Sequence, residues 1–456
     1  MREARWGWAS HVAVFGAAAA WGRLTWVTDE LDSPDPLSAA ERLALMQAPR
    51  PRKLPLAPLA RPARRNLPLA DDVAPSDKVR PIYCVWEITL ACDLACRHCG
   101  SRAGRARPDE LSTDECLSVV RQLAELDVKE VTLIGGEAYL RPDFTQIVAA
   151  LAQHGIATST TTGGRGFTRE LAARAKDAGL SSVSVSLDGL SATHDRLRGV
   201  DGSFDAALSA MHHCRKVGLR VFNNTQINRL SMPELPCLLD ILIEQGSSAW
   251  QLMLTVPMGR AVDEPEVMLQ PYELLALFPM LAELKRRADR AGIVIWRGNN
   301  LGYFGPYETL FKGWTPAGHH GSCGAGMSTL GIEADGTVKG CPSLGTEAWG
   351  AGNLRDAPLS SIWERGGPMR YTRRRSVADL WGHCKSCYYA DVCRGGCTWM
   401  ADMLLGRPGN NPYCHHRALE LKARGLRERV EKIEEATGLP FDQGLFRIVE
   451  EPLPPC

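Results

Sequence analysis

From residue 82 onward the chain alternates short runs of β-branched residues with stretches whose apolar positions recur every three or four residues. That is the pattern of strand–helix units wound around a parallel sheet. Strands are predicted over 82–89, 130–134, 156–162, 182–187, 219–226 and 249–255. Helices are predicted over 112–126, with Ser112 or Thr113 as N-cap, and over 141–154, 168–178 and 204–217. Six such units predict an α/β fold, a partial (β/α)6 TIM-type barrel rather than a complete eight-fold one. After Pro257 the spacing changes: 271–291 reads as a long helix, 293–297 as one more strand, and then Gly and Cys become frequent. A boundary near 300 follows. Beyond it, 329–333 and 337–340 flank Asp335-Gly336, a strong hairpin signal. The charged stretch 417–436 reads as a C-terminal helix.

Upstream of residue 82 the pattern is different. Residues 1–33 carry Trp6, Trp8, Trp21 and Trp26, too aromatic for a disordered composition, which suggests a head that docks on the body. Nine prolines lie between Pro34 and Pro75, and Arg50 to Ala70 holds six basic residues and no acidic one. This reads as an extended linker, either a solvated tether or a docking arm for an acidic partner. The ten apolar residues from Val12 to Trp21 are too short to span a bilayer and read as non-targeting.

Composition bounds the function classes. The 456 residues are 45% hydrophobic and 23% charged with a formal charge of +1, so nothing points to nucleic acid or to a membrane surface. Fifteen cysteines, an odd number, are absent from residues 1–83 and concentrated in two groups. In a chain long enough to need no staples, that argues for thiolate ligands in a reducing compartment, hence the cytoplasm, rather than for disulfides.

The first group, Cys92-Asp-Leu-Ala-Cys96-Arg-His-Cys99, falls just after the first predicted strand, at the mouth where barrel enzymes build their sites. Three thiolates leave one metal position open: on an iron–sulfur cube it is free for a cofactor. A zinc site with His98 as fourth ligand is the alternative, although adjacent His98 and Cys99 are poorly placed around one tetrahedral ion. This CxxxCxxC loop on a partial barrel resembles the radical S-adenosylmethionine (SAM) enzymes. In that family Gly135-Gly136-Glu137, after the second strand, would hold the amino group of the methionine moiety. Ser186 and Arg198 match the family's contacts to ribose and carboxylate. Asp188 fits either such a contact or a turn cap, and Leu254 either the adenine pocket or barrel core. Thr160 and Thr162 stand where many relatives have asparagine before the glycine, and read as strand filling.

The second group, Cys323, Cys341, Cys384-x2-Cys387-x5-Cys393-x3-Cys397 and Cys414, resembles the SPASM extension of the same family. The resemblance implies two auxiliary 4Fe-4S clusters, one on Cys323, Cys341 and Cys397, the other on Cys384, Cys387, Cys393 and Cys414. The family's further cysteine before Cys323 is missing from the stretch Pro316 to Ser322. His319, His320, the substrate or a water is left to complete that site. A zinc module is the alternative for the whole segment. Cys84, Cys116, Cys214 and Cys237 read as small buried hydrophobes, and Cys456 as incidental.

The resemblance implies three 4Fe-4S clusters and reductive cleavage of SAM to a 5′-deoxyadenosyl radical that takes a hydrogen atom from substrate. It implies an oxidoreductase that matures a ribosomally made peptide or protein side chain, served by an electron donor such as flavodoxin or ferredoxin. Small-molecule or tetrapyrrole side-chain dehydrogenation is one alternative; a non-enzymatic, zinc-stapled interaction protein is another. Formylglycine formation is disfavoured, because Cys341 is followed by Pro342-Ser343 and not by an acidic residue. No winged-helix leader-binding domain is legible in residues 1–80, where prolines exclude paired central strands; a separate leader-peptide-binding protein is one remedy. The expected division is a head and linker over 1–80, the radical SAM barrel over 81–300, the SPASM domain over 301–416, and a helix and tail over 417–456.

Overall fold

The computed structural model describes residues 79–301, 304–313 and 323–454. The expectations on residues 1–78, on His319 and His320 and on Cys456 lie outside the described residues.

Seven strands form a parallel sheet in chain order: β1 Tyr83–Thr89, β2 Glu130–Gly135, β3 Ala157–Thr162, β4 Leu180–Ser186, β5 Arg220–Ile227, β6 Ala249–Leu254 and β7 Val294–Arg297. Helices cross between them: α1 Thr113–Glu125, α2 Phe144–Gln153, α3 Arg169–Asp177, α4 Ser191–Arg198, α5 Ser203–Lys216, α6 Leu235–Glu244 and α7 Leu274–Arg290. Ser112 and Glu115 close a capping box on α1, and Thr168 caps α3, so local chemistry starts these helices where the sequence predicts them. Alternate residues of β1, namely Cys84, Trp86 and Ile88, are fully buried in one apolar cluster with Val119 and Leu123 of α1 and Ile147 and Leu151 of α2. The other face of the sheet mixes polar and apolar residues. Tyr83, Thr132, Ser159, Ser184, Gln251 and Trp296 line a cavity at the N-terminal ends of the strands. There the Tyr83 and Thr132 hydroxyls are 2.7 Å apart and those of Thr132 and Ser159 2.8 Å.

The cysteine-rich region continues the same sheet. The predicted hairpin forms as β8 Thr329–Ile332 and β9 Thr337–Lys339, followed by β10 Gly352–Asn353. β8 pairs parallel with β1, from Tyr83 opposite Thr329 to Trp86 opposite Ile332, so the sheet order is β10-β9-β8-β1-β2-β3-β4-β5-β6-β7. A buried charge network locks the seam. Lys339, with 0% of its side chain exposed, lies 2.5 Å from Glu333 Oε1, and Arg107 reaches Glu333 at 3.1 Å and Glu87 at 3.3 Å. Burial pushes the Glu87 carboxyl up to about 8 against the pull of Arg107.

Two expectations need correction. The charged stretch 417–436 is not one helix: helix α8, His415–Ala423, ends before Gly425, whose φ is +73°, and the chain turns into β11 Leu426–Glu434. β11 pairs antiparallel with β12 Leu445–Pro452. Cross-strand pairs such as Arg427–Glu451 and Arg447–Glu431 use the charges that a helix would have spent on i,i+4 contacts. Cys237 is exposed on α6, whereas Cys84, Cys116 and Cys214 are buried as expected. Among the described residues one stretch, Pro265–Arg290, is long and apolar enough to cross a membrane; in this fold its Leu274, Leu277, Leu281 and Leu284 are core residues.

Replacing Lys339 by Met should leave buried Glu333 with Arg107 as its one positive partner, beside the Thr346 hydroxyl, and cost about 3–5 kcal/mol. Guanidinium unfolding of the metal-free protein, followed by tryptophan fluorescence, would register this as a lower midpoint; an unchanged midpoint would contradict it.

Candidate active site

The loop from Cys92 to Gly104 leaves the C-terminal end of β1 and turns its thiols inward, so its backbone polar groups need partners from elsewhere. They find them on three sides. Ala95 and Arg97 amides donate to the carbonyls of Arg198 (3.1 Å) and Leu197 (2.8 Å), which end α4. Arg260 donates from Nε to the Cys96 carbonyl at 2.6 Å and from its amide to the Cys99 carbonyl at 3.0 Å. The loop between β11 and β12 contributes the Phe441 amide, 3.1 Å from the Gly100 carbonyl, and Asp442, whose carboxylate accepts from Arg102 at 2.8 Å. Backbone amides also point at sulfur: Leu94 N donates to Cys92 Sγ and Ala103 N to Cys99 Sγ, each at 3.4 Å.

Gly135 and Gly136 end β2 against this loop. A Cβ on Gly135 would sit 2.2 Å from the Thr89 carbonyl oxygen, and one on Gly136 2.1 Å from that of Ala91 and 2.7 Å from Cys92 Cβ. No side chain fits at either position. Glu137 follows, 2% exposed, accepting from Thr162 Oγ1 at 2.5 Å and from the Gly163 amide at 2.6 Å. Burial pushes its carboxyl up to about 7 despite these two donors. Thr162 also accepts from the Gly164 amide at 2.9 Å, so it ties β3 to the Gly-Gly-Glu turn and does more than fill a strand. Thr160 only donates to the Leu133 carbonyl at 3.0 Å.

Asp188 is not a turn cap. It is 1% exposed, and its Oδ2 lies 2.6 Å from Arg198 Nη2 and 3.0 Å from His98 Nε2, while Oδ1 accepts from the Gln226 amide at 2.9 Å. Burial alone would raise its pKa, but the Arg198 and His98 charges hold it well below the usual carboxylate range. Arg198 Nη1 reaches Cys96 Sγ at 3.7 Å. His98 thereby spends Nε2 on Asp188, while its Nδ1 is buried without a partner among the described residues. Ser186 is buried at the end of β4, opposite Asn224 of β5, whose Oδ1 is buried without a partner among the described residues. Leu254 belongs to the apolar core cluster, and its backbone is clamped by Asn300, which accepts from its amide at 3.3 Å and donates to its carbonyl at 2.8 Å.

The other cysteines gather as two sets. Cys323, Cys341 and Cys397 are close enough for their charges to interact, as are Cys384, Cys387, Cys393 and Cys414. Burial raises each of these thiols, Cys341 and Cys414 to about 11 and Cys387 to about 12. Backbone amides answer burial here as well, for example Tyr389 N on Cys387 Sγ at 3.4 Å. Among the described residues the one trio with ligand atoms all within 4.8 Å is Cys92, Asp93 and Glu137. The mixed trio already has partners, since Asp93 accepts from Tyr139 Oη at 2.8 Å and Glu137 from Thr162.

The radical SAM superfamily model matches residues 86–235, and that of the SPASM iron–sulfur cluster-binding domain matches residues 323–388. Mycofactocin maturase MftC of Mycobacterium tuberculosis is 31% identical over 346 residues, 73% of this chain and 83% of the relative. The chain belongs to the radical SAM superfamily, in its SPASM-containing branch. An AdoMet-dependent heme synthase of Methanosarcina barkeri is 29% identical over 74% of this chain and 97% of its own length. Streptococcus suis SuiB bound to precursor peptide SuiA has the same fold, with TM-score 0.57, 19% identity and 74% and 76% of the two chains covered. Membership makes this protein a radical SAM enzyme, whose family cofactors are SAM and iron–sulfur clusters. Sequence reasoning missed Arg260, Asn300 and the linking role of Thr162. Arg260 and Asn300 act through backbone groups of residues distant in the chain, and Thr162 through the Glu137 side chain of another strand end, for which no local motif exists.

Thr162→Val removes a donor from buried Glu137 and should weaken SAM binding about tenfold, the worth of about 1.4 kcal/mol for a hydrogen bond to a charged group. Thr162→Ser should bind as wild type does. Calorimetric titration of SAM into the three reconstituted proteins would decide it, and equal affinities would refute the link.

Proposed function

We propose that this radical SAM/SPASM enzyme modifies a ribosomally made peptide or a protein side chain, by cross-link, thioether formation or oxidation. The observation that carries this reading is the combination of three separate thiol sets with a Gly-Gly-Glu turn too tight for any side chain. The peptide substrate class is supported by the maturase relative and by SuiB, which binds a precursor peptide. When bound, the cluster and SAM supply a 5′-deoxyadenosyl radical that takes a hydrogen atom from the substrate.

Cys92, Cys96 and Cys99 would hold the cluster that meets SAM. Gly135, Gly136, Glu137, Ser186 and Arg198 would surround SAM, with Leu254 beneath the adenine. Asp188 would orient Arg198 and His98 rather than touch the cofactor. The fit rests on the unpartnered Asn224 acceptor beside Ser186 and on the Arg198 guanidinium at Cys96. Cys323, Cys341 and Cys397 would hold one auxiliary 4Fe-4S cluster and Cys384, Cys387, Cys393 and Cys414 the other, three clusters in all. An external donor of the flavodoxin or ferredoxin type, a separate leader-binding protein and a reducing, cytoplasmic setting complete the reading. The barrel would occupy 81–300 and the SPASM domain 301–416, with family matches inside both spans.

A second reading, oxidation of a tetrapyrrole side chain, is favoured by the heme synthase relative that this chain matches over 97% of its length. Anaerobic reconstitution with iron and sulfide counting tests the shared chemistry. About twelve irons should fall to about eight in a Cys92, Cys96, Cys99→Ala variant, and only wild type should release 5′-deoxyadenosine after dithionite reduction. Zinc in place of iron would remove the enzyme. Stimulation of 5′-deoxyadenosine release by a peptide, and not by a porphyrin, would select the first reading; the reverse would select the second.

A further inference from the structure

Arg375 follows the short helix Tyr371–Arg374 in the cysteine-rich region and is 3% exposed. Its Nη1 donates to the Gly396 carbonyl at 3.0 Å, one residue before Cys397, and its Nε to Tyr371 Oη at 3.2 Å. The Tyr371 ring covers the guanidinium at 5.0 Å. Nη2 is buried with no partner among the described residues, and no carboxylate among them pairs with this side chain. Arg417, equally buried, has Glu428 at 2.7 Å. A guanidinium taken from water calls for negative charge beside it. The Asp379 carboxylate lines the same pocket but accepts from the Ser376 amide and hydroxyl. The charge of Arg375 also reaches thiols, Cys323 and Cys397 of one set and Cys384 of the other.

We propose that Arg375 is a positioning residue for the auxiliary site of Cys323, Cys341 and Cys397, acting as its counter-charge with Nη2 as hydrogen-bond donor to sulfur there. This rests on the auxiliary-cluster reading above and adds to it a residue that carries no ligand atom. A fixed positive charge and an N–H···S bond both favour the more negative, reduced state of an iron–sulfur centre and raise its potential. The site that lacks a fourth cysteine is thereby the one made the better electron acceptor.

The test uses the full chain with Cys92, Cys96 and Cys99 replaced by Ala, so that only auxiliary signals remain, and compares it with added Arg375→Met or Arg375→Lys. Iron is counted, and the midpoint potentials are read by redox titration under electron paramagnetic resonance. In Arg375→Met one of the two potentials should fall by at least a tenfold change in its reduction equilibrium, 59 mV for one electron. The other should hold, and Arg375→Lys should recover more than half of the shift. Loss of about four irons in the Met variant alone would equally support a required charge. Unchanged potentials in the Met variant, or equal iron loss from Met and Lys variants, would overturn the proposal and leave the clusters standing. A parent protein without about eight irons would overturn the clusters and Arg375's role together.

Discussion

A loop that carries three thiols satisfies only part of its own backbone, and the rest of the barrel mouth is arranged around that shortage. The end of α4, the Arg260 side chain and the turn between β11 and β12 each supply hydrogen-bond partners to residues 95–102. The loop is therefore held by three parts of the chain that are far apart in sequence and share no motif. The extreme C-terminal hairpin, which carries no cysteine in β11 or β12, thereby becomes part of the site.

Buried charge is the second organising element. Asp188 holds Arg198 and His98 below the loop, and Glu333 holds Lys339 and Arg107 at the seam between β1 and β8. In low dielectric such groups are stable only as complete sets. Removing one member leaves the rest exposed to the full desolvation cost, which makes these residues stringent although none is a metal ligand in the proposed assignment.

The fold was legible to the extent that it is written locally. Period-2 and helical patterns, capping residues at Ser112 and Thr168 and the Asp335-Gly336 turn each carry their own physics, and the strands and helices lie within a few residues of where these put them. Spacing alone would group Cys397 with Cys384, Cys387 and Cys393; it is the family resemblance that assigns it to Cys323 and Cys341, whose thiols are its neighbours in the folded chain. The stretch from Leu426 to Glu434 was misread because alternating Arg and Glu satisfy an i,i+4 ladder and a cross-strand ladder equally well; the partner strand twenty residues on decides. Asp188 was ambiguous for the opposite reason. Its partners are His98 of the cysteine loop and Arg198 at the end of α4, and only folding reveals that it serves these side chains rather than a turn.

The pairing of β8 with β1 has a mechanical consequence. Modules joined by a flexible linker rock against each other by default, and many enzymes admit substrate by that hinge. Here a hydrogen-bonded ladder crosses from one module into the other and fixes their separation as firmly as that of neighbouring strands. Opening for a bulky substrate would then fall to loops and to segments outside the sheet.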